Sequence, residues 1–210
     1  MISLDPFYPI VPDAGWVARL AGQGTKLIQL RIKTGTPDAV AAEIAQAMQV
    51  ASARGCQLVV NDYWREAIRL RADFVHLGQQ DLADANLAAI RGAGIRLGVS
   101  THSIEELEVA LAAEPDYVAL GPIYPTKLKA MPWQPQGLAR IGDWREKVRC
   151  PLVAIGGITL ERAPSVLAAG ASSAAVITDI VMSEDPERRT REWIAATEPW
   201  RYLSTGFPPC

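Results

Sequence analysis

Eight times along its 210 residues the chain repeats one pair: a short run rich in β-formers, then a stretch with apolar residues at helical spacing. The runs fall at 7–11, 27–33, 57–61, 74–77, 96–100, 117–120, 152–155 and 174–177. The helical stretches fall at 13–21, 37–54, 64–70, 84–93, 104–113, 138–148, 160–169 and 186–197. Neighbouring parallel strands need a long crossover and antiparallel ones do not, so strict alternation predicts a parallel sheet. Eight such units predict a closed α/β fold, a single-domain (β/α)₈ barrel over 1–197, with 198–210 as an irregular tail carrying Pro199, Gly206, Pro208 and Pro209. The competing architecture, an open doubly wound sheet, announces itself with a glycine fingerprint after its first strand, and Val11-Pro12-Asp13-Ala14-Gly15 offers none.

Helix starts carry chemical signals. Thr36-Pro37 and Asp185-Pro186 read as an N-cap followed by a first-turn proline, and Ser103 to Glu106 has capping-box spacing. Val40, Ile44, Ala47, Met48 and Ala51 recur on one helical face, as needed to cover a sheet. A net charge of −2 gives no basic field for nucleic acid or an anionic membrane, so any bound anion needs a local cluster of cations. Cys56, Cys150 and Cys210 are odd in number, far apart and without CxxC spacing, which argues against a disulfide framework or a zinc site and for a reducing, cytoplasmic setting. The first residues show no basic-then-apolar leader and no apolar run approaches a membrane span, so the chain is expected to be neither exported nor anchored.

A barrel gathers its functional side chains just past the C-terminal ends of its strands. In the second strand Gln29, Arg31 and Lys33 alternate with Ile28, Leu30 and Ile32, which points the polar three into the mouth and the aliphatics outward beneath helices. Asn61 and Asp62 end the third strand, Gln79 and Asp81 follow the fourth, and Ser100 and His102 close the fifth. The sixth leads into a long loop, 121–137, of a length that compact barrels reserve for binding. Gly156-Gly157 follow the seventh strand, and Thr178 the eighth.

Asp62 and Asp81 converge on one rim if their strands are neighbours. Two carboxylates suit Mg²⁺, which prefers oxygen ligands and commonly adds substrate phosphates; the alternative is that each Asp caps its following helix. Gly156-Gly157 beside the last strand is where many barrels bind a phosphate on backbone N–H groups, although the pair also suits a plain turn. With Arg31, Lys33 and Lys129, the sum is a site for more than one phosphate. Ser100 and His102 stand two apart and are expected to face differently, and His76 reads as a satisfied core or mouth histidine, so no nucleophile–base pair is evident.

Six ordered motifs carry a resemblance. Leu27-Ile28-Gln29-Leu30-Arg31-Ile32-Lys33, Val60-Asn61-Asp62-Tyr63-Trp64, Val75-His76-Leu77-Gly78-Gln79-Gln80-Asp81, Leu97-Gly98-Val99-Ser100-Thr101-His102, Gly121-Pro122-Ile123-Tyr124-Pro125-Thr126 and Val153-Ala154-Ile155-Gly156-Gly157-Ile158 follow the order found in thiamine phosphate synthases, and the chain resembles that family from residue 7 to about 180. The resemblance implies a transferase of thiamine biosynthesis. Its substrates are an aminopyrimidine methyl pyrophosphate and a thiazole phosphate: the first loses pyrophosphate with the help of Mg²⁺, and the thiazole nitrogen captures the pyrimidine cation. It further implies Asp62 and Asp81 as Mg²⁺ ligands, Arg31, Lys33, Asn61 and Lys129 as pyrophosphate contacts, and Gln29 and Ser100 near the pyrimidine and leaving group. Thr126 and Gly156, with backbone around Ile177 and Thr178, match the thiazole phosphate site. Arg31, Lys33, Ser100 and Lys129 take the catalytic roles. Nucleic acid and membrane are not expected as partners, and homo-oligomerisation is left open.

Two positions depart from the family pattern. Leu128 stands where a second loop threonine is usual, and Thr34-Gly35-Thr36 stands where a charged residue is expected; the lost hydroxyl weakens thiazole phosphate binding unless backbone groups compensate. A related barrel, thiazole tautomerase, would use His102 as its acid–base group but has no need of the combined Asp62, Asp81, Arg31 and Lys33 set. A barrel degenerated to a phospho-ligand sensor is the non-enzymatic alternative.

Overall fold

The computed structural model describes residues 4–126, 133–201 and 210. Eight strands form a closed barrel in chain order: β1 (Phe7–Val11), β2 (Leu27–Leu30), β3 (Gln57–Asn61), β4 (Phe74–Leu77), β5 (Arg96–Thr101), β6 (Tyr117–Leu120), β7 (Leu152–Ile155) and β8 (Ser173–Val176). Every neighbouring pair is parallel, and β8 returns to β1 with Phe7 opposite Ala174. The helices among the described residues are α1 (Ala14–Gly22), α2 (Pro37–Ala53), α3 (Trp64–Leu70), α4 (Gln79–Asp84), α5 (Leu87–Gly92), α6 (Ile104–Ala112), α7 (Gly137–Lys147), α8 (Ala163–Ala168), α9 (Thr178–Val181) and α10 (Pro186–Arg201).

Two apolar layers hold this together. Inside the barrel Tyr8, Ile10, Leu27, Val59, Phe74, Tyr117, Ala119 and Val153 fill the lumen. Outside it, alternate strand residues such as Ile28, Leu30, Val60 and Val75 meet the buried faces of the helices. A strand buried on both sides has no solvated face, and the near-continuous burial of every strand reflects that.

Local chemistry fixes the helix starts as expected. Asp13, Thr36 and Ser103 each accept the N–H three residues on, and Asp185 accepts from Arg188. The capping box at Ser103 is shifted by one residue: Glu106 accepts the His102 N–H at 2.7 Å. The stretch 84–93 divides into α4 and α5 because Asn86 caps a new start, donated to by Ala89 N–H at 2.9 Å. Pro164 fits the first turn of α8, which begins at Ala163.

Three expectations are corrected. The ladder of β2 ends at Leu30 and the last helix runs to Arg201, so 198–201 is helical, Pro199 included; 202–209 lie outside the described residues. Cys150, just before β7, is disulfide-bonded to Cys210 across 60 residues of sequence, while Cys56 stays a buried free thiol. Sequence distance misled here, because the barrel brings its end back to the foot of its sixth and seventh strands, where Cys210 N–H also donates to Pro115 C=O at 3.1 Å.

Candidate active site

A cavity of about 730 Å³ opens at the C-terminal ends of the strands. Nine of the residues singled out in the sequence line it: Gln29, Arg31, Lys33, Asn61, Ser100, Thr126, Gly156, Ile177 and Thr178. Lys129, and Leu128 beside it, lie outside the described residues. The period-of-two reading of 27–33 holds for Gln29, Arg31 and Lys33 but not for Ile32, which also faces the cavity, because strand alternation lapses once the ladder ends at Leu30. Thr34, in the segment that departs from the family pattern, lines the cavity as well.

Asp62 and Asp81 form a contact of their own at the rim. Asp62 N–H continues the ladder to His76 C=O at 2.9 Å, and its backbone then turns left-handed with φ 66°, a conformation that Asp tolerates better than most residues. Neither carboxylate caps a helix: the N-cap residues of α3 and α4 are Tyr63 and Gly78, neither start has a side-chain cap, and Asp81 lies within the first turn of α4. Instead the two carboxyls meet, and burial first, then the Asp81 charge, raises the Asp62 pKa to about 6 against the opposing pull of Arg31 and Asn61. Mutual repulsion in a half-buried place is what a divalent cation relieves. Among the described residues no cluster of three or more His, Cys, Asp or Glu could hold a metal by itself, which leaves a two-carboxylate pair of the kind that suits an ion completed by water and phosphate oxygens.

The opposite side of the mouth is backbone. Gly156 and Gly157 both have positive φ, 100° and 65°, and a Cβ on either would strike the loop after β6, at 2.7 Å from Pro122 Cα and 2.5 Å from Pro125 C=O. Only glycine fits this close approach. The approach is stitched by Ile123 N–H to Ile155 C=O and Tyr124 N–H to Gly156 C=O, at 2.9 and 3.0 Å. The N–H groups of Gly157 and Thr178 have no backbone acceptor among the described residues and are available to an anion. Asp179 ties the two loops together by accepting from Leu160 N–H at 3.2 Å, the Trp193 indole at 2.7 Å and Arg189 at 3.0 Å.

Sequence reasoning missed the floor of the cavity. Tyr8 and Tyr117 were legible only as strand-formers, yet both line it with buried hydroxyls, and His76 joins them. Ser100 faces His76 and not His102: Ser100 Oγ lies 2.7 Å from His76 Nε2. Ser100 and His102 thus face differently, as expected, and the histidine that Ser100 meets is His76. The far side of that histidine holds the Tyr117 hydroxyl at 2.7 Å and no carboxylate, so the pair lacks the orienting acid of a nucleophilic triad. Burial first, and then Arg31, hold His76 down at about 4, leaving a neutral ring. His102 bonds Glu106 through Nδ1 at 2.8 Å and stacks on Trp133.

Comparison with known proteins agrees with this geometry. A family model described as thiamine monophosphate synthase matches residues 8–180. The chain belongs to the thiamine monophosphate synthase family. It is an enzyme of the transferase type. A thiamine-phosphate synthase of Rhizobium etli is 61% identical over 201 residues, 95% of this chain and 98% of that one, and one of Salmonella paratyphi B is 48% identical over 90% of each. Among solved structures, a thiamine phosphate pyrophosphorylase from Pyrococcus furiosus superposes with a TM-score of 0.83 at 28% identity, covering 93% of this chain and 96% of that one. No helix among the described residues is long and apolar enough to cross a membrane.

Proposed function

We propose that the enzyme joins an aminopyrimidine methyl pyrophosphate to a thiazole phosphate, releasing pyrophosphate and forming thiamine phosphate. The observation that carries the reading is a single cavity with an anion-holding group at each end: Arg31, Lys33 and Asn61 beside the Asp62–Asp81 pair, and the Gly156-Gly157 and Thr178 backbone opposite. One molecule with two phosphates and another with one find separate seats in it.

In this reading the bond between the pyrimidine methylene and the pyrophosphate oxygen breaks, and the thiazole nitrogen donates its lone pair to the methylene carbon. No protein nucleophile is needed. Arg31, Lys33, Asn61 and Lys129 hold the departing pyrophosphate and balance the charge it gains, so their contribution grows as the bond breaks. Gln29 and Ser100 orient the pyrimidine and leaving group. Thr126, Gly156 and the backbone of Ile177 and Thr178 seat the thiazole phosphate and fix its nitrogen on the open face of the cation. Asp62 and Asp81 would hold Mg²⁺, which supplies charge neutralisation to pyrophosphate oxygens when bound. The partners are small phosphorylated molecules.

Incubating the purified enzyme with both substrates, with and without Mg²⁺, tests this. Thiamine phosphate and pyrophosphate should appear in equal amounts and only with the metal. Interconversion of thiazole tautomers without condensation would replace the reading with an isomerase.

A further inference from the structure

Five polar side chains from five strands join hands across the barrel lumen: Gln29 of β2, Tyr8 of β1, Tyr117 of β6, His76 of β4 and Ser100 of β5. The links are Gln29 Nε2 to Tyr8 Oη at 2.9 Å, Tyr8 Oη to Tyr117 Oη at 3.0 Å, Tyr117 Oη to His76 Nδ1 at 2.7 Å and His76 Nε2 to Ser100 Oγ at 2.7 Å. Phe74 and His76 stack on the Tyr117 ring, which lies across β5 where only Gly98 leaves room: a Cβ there would sit 2.2 Å from Tyr117 Cζ.

We propose that this chain runs in one direction and fixes Ser100 as a hydrogen-bond donor to the ligand in the cavity, with Tyr8, Tyr117 and His76 as positioning residues. The direction follows from counting protons. Gln29 can only donate through its amide nitrogen. Tyr8 accepts that bond, so its own proton must go to Tyr117, its one other hydrogen-bond partner among the described residues. Tyr117, having accepted from Tyr8, gives its proton to His76 Nδ1. A neutral imidazole with Nδ1 accepting carries its hydrogen on Nε2, and that hydrogen goes to Ser100 Oγ. Ser100 then has its hydroxyl hydrogen free to point into the cavity that it lines. The reverse arrangement, with the hydrogen on Nδ1, would leave a Tyr8 or Tyr117 proton without an acceptor in a fully buried place. Resting on the reaction proposed above, the acceptor that meets Ser100 is an oxygen of the leaving pyrophosphate.

The tautomer can be measured without any substrate. The chain has two histidines, His76 and His102, so nitrogen-15 labelling of histidine rings and a two-bond proton–nitrogen correlation give two patterns, separated by a His102→Gln variant. His76 should show the hydrogen on Nε2 at neutral pH; a hydrogen on Nδ1, or on both nitrogens, would overturn the proposal. A double-mutant cycle then tests the route to Ser100. Tyr117→Phe should lower kcat about tenfold, the scale of an orienting contact behind a functional group, while changing KM for either substrate much less. In a Ser100→Ala background the same substitution should cost nothing further. An equal fold-loss in both backgrounds would show that Tyr117 does not act through Ser100. A wild-type enzyme that makes no thiamine phosphate would remove the reaction and leave the tautomer result standing on its own.

Discussion

Asp62 is half-buried, left-handed in its backbone and pressed against a second carboxyl, and the protein alone does not neutralise it. Its raised pKa, about 6, means that the folded protein holds a proton there that the unfolded chain gives up near the model-peptide value of 3.8. Without metal, this group therefore adds stability as pH falls through 6 and withdraws it as pH rises. His76 acts in the opposite sense: folded, it titrates near 4 and not 6.5, so the unfolded chain takes the extra proton and stability is lost on acidification across that window. The two largely cancel between pH 6 and 4, and Asp62→Asn should uncover the histidine. Measured by thermal melting in EDTA, that variant should gain about 2–4 °C at pH 7.5, the effect of about 1 kcal/mol after discounting for exposure, and should lose stability on acidification more steeply than the parent. It should also abolish the Mg²⁺ requirement together with most of the turnover. For the parent, Mg²⁺ affinity read by titration should weaken as pH drops below 6, because the ligand must be deprotonated.

At the scale of elements, the close fit of β5 to the Tyr117 ring makes Gly98 the least replaceable residue of the lumen. Gly98→Ala should cost about 1–3 kcal/mol in denaturant unfolding through overpacking, and more turnover than that cost alone explains, since it moves the ring that carries His76. Asp179 makes the matching case on the phosphate side: Asp179→Asn should raise KM for thiazole phosphate and leave KM for the pyrimidine pyrophosphate nearly unchanged, with about 2–3 kcal/mol of stability lost. The strands were legible because burial on both faces leaves an apolar run with a polar residue at its end, and Arg31, Lys33, Asn61, Asp62, Ser100 and Gly156 could be placed from that punctuation alone. Short helices such as α4 and α9 were not, since four to six residues carry too little periodicity. Tyr8 and Tyr117 escaped notice for a different reason: a tyrosine inside a strand looks like a β-former until its hydroxyl is seen to meet another from a strand 109 residues away.

Across the whole molecule, the two faces of the barrel do separate work. The mouth gathers the groups that meet substrate, and the foot carries the closure of the chain, where Arg201 pairs with Asp5 at 2.8 Å and Cys210 is bonded to Cys150. Closing a loop of 60 residues removes much of the freedom of the unfolded chain, so reduction, or Cys150→Ser, should lower unfolding free energy by about 2–4 kcal/mol and show in the melting temperature. Because Arg31, Lys33, Asn61, Ser100 and Gly156 lie at or past the opposite ends of their strands, kcat and KM measured at moderate temperature should not change. Thiol poise in the surroundings would then set how many copies of the enzyme survive a day of heat or proteolysis, leaving the pace of each surviving copy untouched.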